Sequence, residues 1–320
     1  MPDRSALVHL PQLALGVAGL MLAVAGCAAG PAPGDLSAAR PSSTTPGPVA
    51  VVASTDVYAD IARTIGGDAV SVTSFINDPS RNPHEYAADA RNQLALSKAQ
   101  LVVENGGGYD DFVDTMLASS PSRPTVVNVT DLSGYDTDPA DEEFNEHLWY
   151  DLPTMVKLTA RLSTELAAAA PAAAAQITAN ATDFTSKLQV LQQTEADIKA
   201  EHAGAGVAIT EPLPLYLLTA VGLTNKTPEA FSEAVEEGTD VPPAIFKQTL
   251  NLFESGKVAL LAYDAQNAGP QPDAVLAAAQ KSNIAVASFT ETLPHGDSYV
   301  SWMTQNLRGV ADGLSASGGQ

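Results

Sequence analysis

"VAVVASTDVYADIARTIGGDAVSVTSFI" (residues 49–76) reads as one strand–helix–strand unit. Residues 49–54, "VAVVAS", form an apolar run of the kind that a sheet buries on both faces. Residues 55–68 carry apolar side chains at helical spacing and end on a glycine pair, a stop signal for a helix. Residues 69–76 return to strand. Strand, helix and strand at this spacing predict two parallel strands joined by a crossover helix. The alternation continues with a helix at 88–98, a strand at 99–106 stopped by glycines, a helix in "YDDFVDTMLASS" and a strand at 124–129.

The middle of the chain changes character. Residues 153–203 hold no strand candidate, and Pro171 divides them by ending one helix and starting the next. Beyond it, Ile177, Phe184, Leu188, Leu191 and Ile198 keep roughly helical spacing, which predicts a single long helix. Alternation then resumes with strands at 206–210, 258–263 and 284–289, helices at 213–221 and 272–282, and a last amphipathic helix over 298–314. The expectation is an α/β fold of two lobes, each a mainly parallel sheet flanked by helices, joined by one long interlobe helix that restricts hinge motion. The boundaries are an N-terminal lobe at 49–170, a linking helix at 171–204 and a C-terminal lobe at 205–320.

What precedes residue 49 is of another kind. "LALGVAGLMLAVAGC" (residues 13–27) is too short for a comfortable membrane span and ends in small residues, which reads as a secretory signal over residues 1–26. "VAGC" (residues 24–27) resembles the lipobox of bacterial lipoproteins, in which the cysteine carries lipid; Cys27 is the candidate. Residues 27–48, rich in Ala, Pro, Ser and Gly, read as a flexible tether. Cys27 is the chain's single cysteine, so the mature protein has no disulfide and no thiolate metal site, and any metal must be held by nitrogen and oxygen. A net charge of −21 argues against nucleic acid as a partner.

Ligands of such sheets sit beyond the carboxyl ends of the strands. The chain has five histidines, and His9 leaves with the signal. His84 lies in "NPHEY" (residues 82–86), behind Pro83, which restricts Asn82 to extended backbone. His147 lies in "EHLWYDLP" (residues 146–153), and Glu211 and Glu291 each follow a strand. Two imidazoles and two carboxylates make a mixed nitrogen and oxygen set suited to Mn²⁺, Fe²⁺ or Zn²⁺. On the residues alone, the four are either such a site or ordinary polar residues of loops. Glu211 is equally placed to cap a helix starting at Pro212, Glu291 has Asp297 as a rival, and His202 and His295 read as surface residues. The acidic run 136–146 reads as a solvated loop, and Trp149 and Tyr150 as packing residues beside the site. The sequence has no HExxH, no nucleophile elbow and no phosphate loop.

Five segments taken together resemble the zinc/manganese substrate-binding proteins, the metal-binding lipoproteins of bacterial ABC importers. They are "VASTDVYADIARTIGGDAVSV" through "NPHEYAADARNQLALSKAQLVVENGGGYDDF", "HLWYDLPTMVKLTARLSTEL", "AAAAQITANATDFTSKLQVLQQTEADI", "GVAITEPLPLYLLTAVGL" and "ASFTETLPHGDSYVSWMTQNLRGVADGL". "PEAFSEAVEEGTDVPP" (residues 228–243) is similar to the loop that follows the third ligand. The resemblance implies metal ligands at His84, His147, Glu211 and Glu291. It departs from the zinc-type pattern in three places: Glu211 stands where many members have histidine, Glu291 replaces the usual aspartate, and acids fill the stretch that is otherwise rich in histidine. The implied function is capture of Zn²⁺ or Mn²⁺ as cargo for a membrane permease and its ATPase. The receptor would be a non-enzymatic monomer, exported and lipid-anchored at Cys27. Two carboxylates lean toward Mn²⁺, while the general order of divalent affinities favours Zn²⁺. A metal-dependent exported hydrolase and an adhesin or structural lipoprotein are the alternatives.

Overall fold

Apolar runs, valine-rich in the first sheet, form the centre of each sheet because branched side chains fill a pleated surface that is covered on both faces. The computed structural model describes residues 47–78, 86–137, 144–267 and 269–317. The expected signal, Cys27 and nearly all of the tether therefore lie outside the described residues. One sheet contains β1 (Val49–Thr55), β2 (Val70–Ile76), β3 (Leu101–Glu104) and β4 (Thr125–Asn128), in the order β2-β1-β3-β4. The other contains β5 (Gly206–Ile209), β6 (Thr224–Asn225), β7 (Leu260–Asp264) and β8 (Ala285–Phe289), in the order β6-β5-β7-β8. Every pairing is parallel. The expected fold class is the observed one, and both lobes follow the same strand order.

Helix α1 (Asp56–Gly66) follows β1 directly and stops where Gly67 takes a φ of 53°, a left-handed value that a side chain would strain. Asp89 caps α2 (Ala90–Lys98), accepting from the backbone N–H of Arg91 and Asn92 while the Asn92 side chain answers the Asp89 N–H. Helix α3 (Phe112–Ser119) begins later than its sequence predicts because residues 107–111 form turns. A short α4 (Val129–Ser133) closes this part of the lobe.

Helix α5 (Leu152–Ala169) and the long α6 (Ala174–His202) meet at Pro171, as predicted. The apolar stripe of α6 lies in a core shared by both lobes, with Ile177, Phe184, Leu188, Leu191 and Ile198 all buried beside α1, α5 and α11 (Tyr299–Ser317). Each sheet also has an outer cluster, Val52, Phe75, Leu96, Val102 and Met116 in one lobe and Phe231, Val235, Leu252, Leu261 and Val275 in the other. The second lobe is completed by α7 (Leu215–Ala220), α8 (Glu229–Glu236), α9 (Pro243–Glu254) and α10 (Pro270–Lys281). The stretch expected as a loop at 228–243 is therefore helical over its first half. Phe231 and Val235, one turn apart, bury one face of α8, and Pro228 sets its start. No described helix is long and apolar enough to cross a membrane.

Hydrogen bonds tie the lobes near their facing ends. Asp56 accepts from the Leu293 N–H at 3.1 Å, and Asp60 from the Tyr299 N–H at 2.8 Å. The Tyr299 hydroxyl donates to the Trp149 carbonyl at 2.6 Å, and the Tyr150 hydroxyl to the Thr290 carbonyl at 2.8 Å.

One group in α6 is buried against its chemistry. Glu195 is 6% exposed, and its Oε1 has no hydrogen-bond partner among the described residues. Burial, with the nearby Asp151 charge added, pushes its carboxyl up to about 7 from 4.5. The native state thus keeps a proton that the unfolded chain gives up across that interval. Stability falls as pH rises from about 4.5 to 7 and stays lower above it. Glu195→Gln removes the penalty: its melting temperature should exceed that of the parent by about 2–6 °C at pH 8 and be unchanged at pH 4.5. Calorimetry at the two pH values is the test, and an equal shift at both would refute this origin.

Candidate functional site

Three adjacent parallel strands of the C-terminal lobe end at one place, and each delivers a carboxylate there. Glu211 stands two residues beyond β5, Asp264 is the last residue of β7, and Glu291 stands two residues beyond β8. Because β7 lies between β5 and β8, its terminal side chain falls between the other two. Oxygens of the three lie within 4.8 Å of one another, and the residues are 1%, 3% and 7% exposed. Glu211 is no helix cap: α7 starts at Leu215 with Pro214 at the cap position, and no donor reaches either Glu211 oxygen.

Loop bonds fix this arrangement. The Asp264 N–H donates to the Thr210 hydroxyl at 2.9 Å, and Asp264 Oδ1 accepts from the Gln266 N–H at 2.9 Å. The Gln266 side-chain oxygen accepts from the N–H of Glu291 at 2.5 Å and of Thr292 at 3.0 Å. Gln266 therefore positions two of the three carboxylates at once. Tyr109, from the glycine-rich loop after β3, donates its hydroxyl to Glu291 Oε2 at 3.2 Å.

His147 enters from the N-terminal side, fully buried. Asn145 Oδ1 is 2.7 Å from its Nδ1 and also accepts its backbone N–H at 3.1 Å, which orients the ring and leaves Nε2 as the outward nitrogen. Nε2 lies 3.5 Å from Glu236 Oε1 at the end of α8, and Glu146, His147 and Glu236 form a second group with ligand atoms within 4.8 Å. The edge of the His147 ring faces Trp149 at 5.2 Å and Tyr109 at 6.1 Å, so Trp149 is the packing residue its sequence position predicts.

The electrostatics join the two groups. Burial first, then the charges of Asp264 and Glu291 and contact with the Asp264 carboxyl, push Glu211 far above the usual carboxylate range, and Glu236 adds to this. Glu291 is pushed up to about 8, chiefly by burial and then by Asp264, with Glu146 contributing and the Tyr109 hydrogen bond opposing. Asp264 rises too, mainly through burial. Among the described residues, no lysine or arginine forms an ion pair with these three, and none is among the main influences on their carboxyls. Chemically, the arrangement is a desolvated nest of oxygen donors with an imidazole beside it, suited to a cation that replaces shared protons.

Of the four predicted ligands, Glu211 and Glu291 come together, and His147 heads the adjoining group. His84 lies outside the described residues, as do positions 138–143 of the acidic run. Asp297 belongs to neither group: its carboxylate accepts from Ser301 Oγ at 3.0 Å and Gln305 Nε2 at 2.9 Å on α11. His295 is exposed, and His202 sits 3.8 Å from Glu201. Asp264, Glu236, Tyr109 and Gln266 are additions. Asp264 carried the same signal as Glu211, an acid directly after a predicted strand (258–263, as 206–210 for Glu211), but the family resemblance implied no ligand at its position. Glu236 had no signal, since the sequence did not reveal α8.

A family model described as the zinc-uptake complex component A, periplasmic, ZnuA, matches residues 51–313. The manganese ABC transporter substrate-binding lipoprotein PsaA of Streptococcus anginosus is 24% identical over 318 residues, 92% of this chain and 96% of its own. The metal ABC transporter substrate-binding lipoprotein FimA of Streptococcus parasanguinis is 25% identical, covering 86% of this chain and 92% of its own. Among solved structures, the substrate-binding protein FpvC of Pseudomonas aeruginosa, in complex with Ni²⁺, superposes with a TM-score of 0.67 at 20% identity, over 85% of this chain and 99% of that one. The Mn-bound S38A mutant of a periplasmic metal-binding protein from Candidatus Liberibacter asiaticus gives 0.66 at 18% identity, over 82% and 98%. At these identities the structures establish the likeness of fold.

The Tyr109 bond has a direct test. Burial holds the tyrosine hydroxyl far above its usual pKa, so it stays protonated and donates. In Tyr109→Phe the opposing influence on Glu291 disappears, and its carboxyl should titrate above its present value of about 8. Carboxyl-carbon NMR of the metal-free protein reads this; an unchanged titration would show that the bond does not hold in solution.

Proposed function

The chain belongs to the zinc-uptake complex component A family, and from that premise we propose that it is an extracytoplasmic receptor that captures a divalent transition metal as cargo for an ABC importer. The observation that carries this is the convergence of Glu211, Asp264 and Glu291, buried, within 4.8 Å, and without a cationic partner among the described residues, next to an oriented imidazole. A cation is the partner such a nest requires. The names of the relatives support the same reading, since they include manganese and other metal ABC transporter substrate-binding lipoproteins.

His84, His147, Glu211 and Glu291 are the proposed ligands. Residues 1–26 act as an export signal, Cys27 carries lipid, and residues 27–48 tether the lobes at 49–170 and 205–320 and the linking helix at 171–204 to the membrane surface. The receptor works as a monomer and hands its ion to a permease driven by an ATPase. It does no chemistry on its cargo: protein ligands that fill the coordination sphere leave no position for a reacting water. The hydrogen bonds that Asp56, Asp60, Trp149 and Thr290 accept across the lobes fit release by modest shifts rather than wide opening.

Metal analysis of the purified mature protein, followed by titration of the chelator-stripped form with Mn²⁺ and Zn²⁺, tests the reading. One ion per chain is expected, with binding lost in His84→Ala, His147→Ala and Glu211→Ala. No bound metal and no thermal shift with either ion would end the transport reading. Hydrolysis of simple esters, phosphates or peptides by the loaded form, lost with the same substitutions, would favour the hydrolase.

A further inference from the structure

The site proposed above has four ligands, two of them carboxylates, yet the sheet presents a third carboxylate between those two. Strand register leaves Asp264 little choice of position. Ile209 pairs with Ala262, so the continued register sets Glu211 level with Asp264. On the other side Asp264 pairs with Phe289, two residues before Glu291.

Its two oxygens are treated differently. Oδ1 is occupied by the Gln266 N–H, while Oδ2 is buried with no fixed donor and the Asp264 carboxyl meets that of Glu211, so that the pair shares a proton in the space between them. Both Glu211 oxygens are in the same condition. Glu211 and Asp264 are each more than nine-tenths buried, so water does not solvate the bare oxygens. One carboxylate oxygen of Asp264 lies within 4.8 Å of ligand oxygens of Glu211 and Glu291, close enough to share an ion seated between them.

We infer that Asp264 ligates the cargo ion through Oδ2, making the coordination set richer in oxygen than the four-ligand pattern and favouring Mn²⁺ against Zn²⁺. The inference rests on the receptor reading. The selectivity follows from coordination number and ligand hardness. Zn²⁺ is satisfied by four ligands and accepts imidazole readily, whereas Mn²⁺ favours six and is suited by carboxylate oxygen. A further carboxylate therefore adds more for Mn²⁺. It also raises the negative charge around the ion, which agrees with the absence, among the described residues, of a lysine or arginine paired with the group.

The test uses the mature wild-type protein and Asp264→Asn, an isosteric change, each stripped and titrated separately with Mn²⁺ and Zn²⁺. Substitution should lower the ratio of Mn²⁺ to Zn²⁺ affinity at least tenfold. A smaller change overturns the inference, because a merely structural loss weakens both ions alike. If Asp264→Asn does not fold, the wild-type protein decides: grown with carboxyl-¹³C aspartate and loaded with Mn²⁺, it should show ¹³C hyperfine coupling to the ion. The four proposed ligands include no aspartate, so absence of that coupling overturns the inference. Wild-type protein that loads neither ion overturns the receptor reading and this inference together, whereas wild-type loading with an unchanged ratio in Asp264→Asn overturns the inference alone.

Discussion

Mutual repulsion among buried carboxylates is the constraint on which the rest of the molecule depends. Glu211, Asp264 and Glu291 share a desolvated space of a few ångströms without a compensating cation among the described residues. Ionised together, they would drive the strand ends apart, so the metal-free state must retain protons or loosen. A flexible loop scaffold would relieve the strain by moving. Here the three groups hang from neighbouring strands of one sheet, with Thr210 and Gln266 as cross-braces, and the apolar core absorbs the cost elsewhere.

The topology makes this possible with few parts. Parallel strands all point their carboxyl ends the same way, so successive βα loops accumulate polar side chains on one edge. Both sheets repeat one strand order, and their polar edges meet at the seam where Tyr109 touches Glu291 and Asn145 donates to the Pro212 carbonyl at 3.1 Å. The shared core along α6 fixes the distance between those edges. A sheet-end site is thereby assembled from residues as far as 182 positions apart.

The sequence revealed what depends on local pattern. Valine-rich strands, the glycine stop after α1 and the apolar stripe of α6 each bear a signal within a few residues, and the structure bears each out. The strand-end rule also located Glu211 and Glu291. Asp264 satisfied the same rule, directly after "VALLAY", but only the pairing of β7 with β5 and β8 shows that it falls between the other two acids, and sequence does not display that pairing. The two-residue β6 is too short to leave a pattern, and α8 is hidden between prolines in a stretch that is polar overall. Glu236 and the orienting role of Asn145 are products of tertiary contact. His84 was legible as a histidine fixed behind proline, and its place lies outside the described residues.

The hydrogen bonds that close the seam between the lobes set a clock. Leu293 and Tyr299 are pinned by Asp56 and Asp60 at the foot of α1, in a segment that leads straight from Glu291 into α11. If the nest holds the ion as proposed, opening of bonds of this kind would be part of its departure, whatever the strength of any single ligand. Departure would then be governed by local opening of the protein, and dwell time would separate from affinity. A carrier built this way would keep its cargo through many collisions with competing chelators, and would surrender it quickly where another surface prised the same few bonds apart.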